Sequence, residues 1–276
     1  MYANAVRDSI PQTALYGIIM DHFTRARQGG TPKCLIVGFD GARADALAHI
    51  LPAESGIQAL LGGGGRAYRM YTGGDEGSPQ LTDTAPGWAT LLTGVWANGP
   101  QGSGVTANGV RKPVETPNTV MAELLERGAA KKSAFIVSWD GHFVDDDATY
   151  HYDILSAREQ GLNAEWITLE GDAQVVRRAM DELRDENGAE IVMVILEHCD
   201  SAGHGGGYGN RNPKYVEAFR ASDRAALDMI AAVKARPGYD SEDWLILITS
   251  DHGGEGTSHG AQSAACRRIF YVVNGQ

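Results

Sequence analysis

Three observations predict an α/β fold, a doubly wound and mainly parallel sheet with helices on both faces. Apolar strand-like runs alternate with amphipathic helical stretches along most of the 276 residues. Three runs, CLIVGFD to Asp40, IVMVILEHCD to Asp200 and WLILITSDH to His252, are nearly continuous in apolar residues, as strands buried on both faces are. Each of these ends in side chains able to do chemistry, and the carboxyl ends of strands are where ligands collect in an open α/β sheet.

In chain order, residues 11 to 28 read as a helix with Leu15, Ile18, Ile19 and Phe23 on one side, stopped by Gly-Gly-Thr-Pro at 29–32. After the Asp40 strand, ARADALAHIL reads as a helix. LGGGGRAYRMYTGGDEGSPQ, 61–80, reads as a long surface excursion with a short strand at AYRMY. Its Gly62–Gly65 run lacks the Lys-Ser/Thr ending of a phosphate loop and reads as flexible loop. APGWATLLTG carries proline in its first turn and glycine at its far end, a short helix. TVMAELLERG, DAQVVRRAMDELRDENG and NPKYVEAFRASDRAALDMIAAVKARPG are further helices, and SAFIVSWD, WLILITSD and RIFYVV strands. WDGHFVDDDATYHYD, 139–153, matches no calcium-loop spacing and reads as a solvated acidic loop near the mouth of the site. No repeat or linker interrupts the pattern. The expectation is one catalytic domain over 1–276, with 1–32 as an N-terminal helical extension.

The 24 basic and 35 acidic residues give a net charge of −11, which argues against a nucleic-acid-binding surface or attachment to an anionic membrane. It does not exclude a small anionic substrate, because bound divalent cations reverse the local field. Cys34, Cys199 and Cys266 are too few for a disulfide framework and read as buried free thiols, the first two on strands and the third just before one. No secretory leader or membrane-spanning stretch is visible, so a cytoplasmic location is expected.

Seven donors sit at the ends of hydrophobic runs: Asp40, Thr84, Asp200, His204, Asp251, His252 and His259. Singly, each has an ordinary explanation. Asp40 and Thr84 are typical helix N-caps, Asp and His after a strand more often cap or meet solvent, and glycine-rich loops gather polar residues for turn geometry. Asp200 and His204 are four apart, with Gly203 offering a sharp turn that would let them converge. Asp251, His252 and His259 fall within nine residues, with Gly253-Gly254 permitting a bend. Together they make a two-metal site for phosphoryl chemistry. Thr84, at a helix N-terminus that favours phosphate, is its candidate nucleophile.

The set GFDGARAD, TAPGWATLLTG, GVTANG, CDSAGHGGGYG and SDHGGEGTSHG resembles the alkaline phosphatase superfamily, and within it the type I phosphodiesterase / nucleotide pyrophosphatase branch, from about residue 33 to the C-terminus. The resemblance implies an alkaline-phosphatase-like domain with two divalent ions, zinc with manganese as the other candidate, about 4 Å apart. Asp40, Thr84, Asp251 and His252 would hold one, and Asp200, His204 and His259 the other. Thr84 would be the nucleophile, forming a phosphothreonine, and Asn108 of GVTANG a donor to a non-bridging phosphoryl oxygen. The segment from Gly94 to Asn108 is longer than the family pattern and lacks its His-Gly. Only six residues separate His252 from His259, so the substrate cap is minimal. The implied function is hydrolysis of small phosphate esters, diesters first. The alternatives are a phosphomonoesterase, a phosphonate hydrolase, a metal-dependent phosphomutase (disfavoured because so small a cap would not retain an intermediate), or a non-catalytic metal- or phosphate-binding member. A sulfatase is rejected, because Thr84-Ala-Pro-Gly-Trp88 has neither the convertible Cys or Ser nor the arginine of that motif.

Overall fold

Alternate side chains of a strand face opposite ways, and in the central strand of this chain both directions are apolar. A computed structural model describes residues 8–25, 29–99, 101–113 and 118–275. The strands of the main sheet are β1 (Ile10–Pro11), β2 (Thr31–Phe39), β3 (Arg66–Tyr71), β4 (Ser133–Val137), β5 (Ala164–Thr168), β6 (Ile191–Leu196), β7 (Glu242–Thr249) and β8 (Arg268–Val273). They lie in the order β1-β3-β8-β7-β2-β6-β4-β5, with β8 antiparallel to both neighbours and every other pairing parallel. The mainly parallel, helix-covered sheet is the one expected from the sequence.

Leu35, Val37 and Phe39 of β2 join a core with Val192, Val194 and Leu196, while Cys34 and Ile36 join a second core with Ile191, Met193 and Ile195. Helices α2 (Gly56–Gly62), α6 (Asp172–Arg184) and α8 (Pro213–Lys234) cover the first face. Helices α1 (Ala14–Thr24), α3 (Thr84–Thr93) and α4 (Val120–Glu126) cover the second. The remaining helices are α5 (His151–Gln160), α7 (His198–Gly206) and α9 (Ala264–Arg267). No helix among the described residues is long and apolar enough to cross a membrane.

Helix α3 lies deepest, with all ten of its residues buried. Its Trp88 ring occupies the space a side chain at position 38 would need, since a Cβ there would come within 2.3 Å of the indole. Gly38 therefore lets the helix sit directly on β2, a close backbone approach of the kind that selects glycine in a strand.

Several local expectations change. The short strand expected at AYRMY forms as β3, but not on a surface excursion: it pairs with β1 and β8 inside the sheet, where the turn after α2 at Gly62–Gly65 delivers it. ARADALAHIL forms only a 3₁₀ stretch, Ala44–His49. Cys199 lies on α7 rather than on a strand, although all three cysteines are buried and free as expected. The edge strand β5 and helix α5 are not among the expected elements: AEWIT is short and interrupted by Glu165, and HYDILSAREQ is polar with little periodicity. The 139–153 segment is not simply solvated. Asp145, Asp146 and Asp147 are exposed, but Tyr150, Asp153 and His142 are buried.

His142 sits among Phe135, Trp139, Phe143 and Tyr150 at ring-centroid separations of 4.8 to 6.2 Å, and neither ring nitrogen has a hydrogen-bond partner among the described residues. Burial pushes its pKa from 6.5 down to about 3. The unfolded chain therefore takes up this proton first. The contribution of His142 to stability is complete above its unfolded pKa and is lost as pH falls toward the folded one. His142→Phe keeps the aromatic packing and removes the proton site. Its unfolding free energy in urea should fall less than that of the wild type between about pH 7 and about pH 4.5. Parallel curves for the two proteins would contradict the assignment.

Candidate metal centre

The three central strands β7, β2 and β6 are neighbours and parallel, so their carboxyl ends open on one place. Asp40 follows β2 directly, Asp251 lies two residues past β7, and Asp200 four residues past β6. Helix α3 points its N-terminal residue, Thr84, into the same place.

Two donor clusters result. Asp40, Asp251 and His252 offer ligand atoms within 4.8 Å of one another, and all three are fully buried. Asp200, His204 and His259 form a second group of the same tightness. The two groups touch: the His252 and His259 rings stack with centroids 4.2 Å apart. The Thr84 hydroxyl, itself buried, stands 3.4 Å from Asp40 Oδ1 and 3.2 Å from His252 Nε2. Asn108 projects from the hairpin Val105–Ala107/Val110–Arg111, and its Oδ1 accepts the Ala85 amide at 2.8 Å, which leaves the NH₂ end as a donor beside Thr84. All eight residues singled out in the sequence are thus brought together.

The means differ in two places. Asp200 and His204 converge because they lie one turn apart on α7, where a spacing of four shares a face, and not through a turn at Gly203. Gly203 instead makes room for the Tyr208 ring. Thr84 is not an N-cap; Asp83 is, and Thr84 opens the first turn.

Four neighbours escaped the sequence reading. Trp88 Nε1 donates to Asp40 Oδ2 at 2.8 Å, and Tyr208 donates to Asp200 Oδ1. Asp83 Oδ1 accepts from His259 Nδ1 at 2.9 Å. Glu197 places an oxygen within 4.8 Å of Asp40 and Asp200. A tryptophan inside a predicted apolar helix and a tyrosine four residues beyond a candidate ligand carry no signal of these contacts. Asp83, beside Thr84, and Glu197, at a strand end, had the right position but no partner visible along the chain.

Charge is crowded here. Burial and the neighbouring carboxylates Asp251, Glu197 and Asp200 raise the Asp40 pKa well above the usual range. Burial, opposed by the Gly41 amide and reinforced by Asp200, does the same to Asp251. Burial together with Asp200 and Asp172 pushes Glu197 up to about 8. Burial and the adjacent His259 bring His252 down to about 4. For His259, burial lowers the pKa, but the Asp83 and Asp200 carboxylates outweigh it and raise it.

These residues fit divalent cations. Each imidazole bonds through Nδ1 to an oxygen that can only accept: Thr257 O for His204 at 2.9 Å, Gly253 O for His252 at 2.8 Å, and Asp83 Oδ1 for His259. Nδ1 therefore carries the proton, and the Nε2 lone pair is left for a metal. Buried carboxylates facing one another are the complementary half of such a site.

The family model for type I phosphodiesterase / nucleotide pyrophosphatase matches residues 34–269. Murine ectonucleotide pyrophosphatase / phosphodiesterase 5 superposes with a TM-score of 0.53 at 18% identity, over 80% of this chain and 57% of the murine one. A protein of the alkaline phosphatase superfamily from Vibrio parahaemolyticus gives 0.59 at 14% identity, over 99% and 71%. The alkaline phosphatase of the Antarctic bacterium TAB5 gives 0.53 at 11% identity, over 90% and 92%. At these identities the likeness is one of fold. The chain spans little more than half the length of the murine protein. No curated protein sequence matches it.

Asp40→Asn keeps an acceptor for Trp88 but removes one charge from the cluster. In chelator the variant should unfold at a higher temperature than the wild type. Zinc at about a hundred times its Kd should add about 2.7 kcal/mol per site to the wild type, and the variant should lose at least one such increment. Equal stabilisation of both proteins by zinc would show that Asp40 holds no metal.

Proposed function

The chain belongs to the type I phosphodiesterase / nucleotide pyrophosphatase family, and from that premise we propose that it is a two-metal hydrolase of phosphodiesters working through a phosphothreonine. One observation carries the reading: the Thr84 hydroxyl, at the N-terminus of a buried helix, lies between Asp40 and His252 with the Asn108 amide alongside. A bare N-cap threonine would need none of these neighbours.

Asp40, Thr84, Asp251 and His252 would hold one cation, and Asp200, His204 and His259 the second. Mixed imidazole and carboxylate donors suit zinc, with manganese the nearest alternative. When bound, the pair neutralises charge on the attacking and leaving oxygens of an in-line displacement.

The protein's own residues do the rest. Thr84 Oγ1 loses its proton and forms the new P–O bond while the bond to the leaving alcohol breaks, and that alcohol departs with a proton. Water then attacks phosphorus, the P–Oγ1 bond breaks, and the threonine hydroxyl is restored. Asn108, held by the Ala85 amide, directs its NH₂ to a non-bridging phosphoryl oxygen. The N-terminal end of α3 adds the favourable end of its dipole to a group that stays anionic throughout. With only residues 253–258 between His252 and His259, little chain is available as a cap. The substrate is therefore read as a small diester, without selectivity for a nucleotide base.

Bis(p-nitrophenyl) phosphate, assayed beside p-nitrophenyl phosphate with added zinc or manganese, tests the reaction class. The diester should be turned over faster. Preference for the monoester would move the reading to a phosphomonoesterase, and inertness toward both would move it to a binding protein. Thr84→Ala should cut turnover by about a thousandfold or more while retaining most of the bound metal. Asn108→Ala should cost about a hundredfold in kcat. Near-normal hydrolysis by Thr84→Ala would refute the nucleophile.

A further inference from the structure

Asp83 caps helix α3 in backbone conformation only. Its φ of −109° and ψ of 162° are those of an N-cap, and its carbonyl accepts the Gly87 amide, yet its side chain makes no capping hydrogen bond. An N-cap aspartate ordinarily bonds its own helix and stabilises it. Here that contribution is forgone, and the carboxylate turns across to the loop after β7 and accepts from His259 Nδ1 at 2.9 Å. Both side chains are largely buried, at 16% and 11% exposure, so the pair is poorly screened.

The contact belongs to a strap. Gly260 N donates to Thr82 O at 3.0 Å, and Thr82 Oγ1 donates to Ala261 O at 2.8 Å. The residues just before Thr84 are thus tied to those just after His259. The three imidazoles of the site differ in one respect. His204 and His252 are oriented by backbone carbonyls, and only His259 by a charged group. A carboxylate at Nδ1 fixes the ring and raises the donor strength of Nε2 more than a neutral carbonyl does.

We propose that Asp83 is a positioning residue that strengthens the Asp200–His204–His259 metal site through His259. The inference rests on the two-metal reading above. It assigns the two sites different sensitivities: the site of Asp40, Asp251 and His252 has no such carboxylate relay and should not respond to a change at position 83.

The test is zinc binding by the full chain, measured in competition with a chromogenic chelator, with cobalt(II) absorption as a second, activity-independent readout. Asp83→Asn preserves shape and an acceptor oxygen but removes the charge. It should weaken one of two zinc sites by about 10- to 100-fold and alter the corresponding cobalt spectrum, leaving the other site unchanged. Thr82→Val removes the hydroxyl's bond to Ala261 O while keeping the Asp83–His259 pair, and should leave both affinities as in the wild type. Thermal unfolding of each metal-free variant shows that it is folded. Two wild-type affinities in Asp83→Asn, equal weakening of both sites, or the same loss in Thr82→Val would each overturn the proposal. A wild-type protein that binds no zinc would instead overturn the two-metal reading itself.

Discussion

The structure turns on the convergence of carboxylates, two fully buried and one partly so, at the ends of three adjacent parallel strands. Asp40, Asp251 and Asp200 approach one another where β2, β7 and β6 end, and Glu197 adds a fourth acidic group. Gathering like charges away from water opposes folding, and a hydrophobic sheet must impose it. The two cores meet that demand: the central strands are buried on both faces, so their ends cannot shift without disturbing well-packed side chains on either side.

Around that charge the chain supplies donors with little freedom. Trp88, packed over Gly38, gives its indole N–H to Asp40, and Tyr208, packed over Gly203, gives its hydroxyl to Asp200. Hydrogen bonds from buried aromatic groups to carboxylates hold the acids in place without adding positive charge, which leaves that role for cations. The imidazoles are held as firmly, each through Nδ1. Preorganisation of this kind is what electrostatic stabilisation of phosphoryl transfer requires.

Legibility along the chain followed the strength of the local pattern. The central strands were readable because long apolar runs have few alternatives, and α8 because 22 residues of helical periodicity ended in a clear stop. The strand at AYRMY is legible, but its place inside the sheet is not, because that depends on pairing with β8, which is distant in sequence. His142 was read as part of an acidic loop because aspartates surround it in sequence, whereas aromatic rings surround it in space. The donors of the site stood out as residue types at strand ends. The contacts that orient them did not, since Asp83 and His259 are 176 residues apart and nothing local links them.

Periodicity and strand-end position are local properties of the chain, and they carry the fold class, the buried strands and the choice of candidate ligands. How those ligands meet is a matter of packing: a helical turn for Asp200 and His204, ring stacking for His252 and His259, and the burial of α3 for Thr84. Distances between side chains on different elements depend on strand order, register and helix docking, and those are set only when all the elements pack at once.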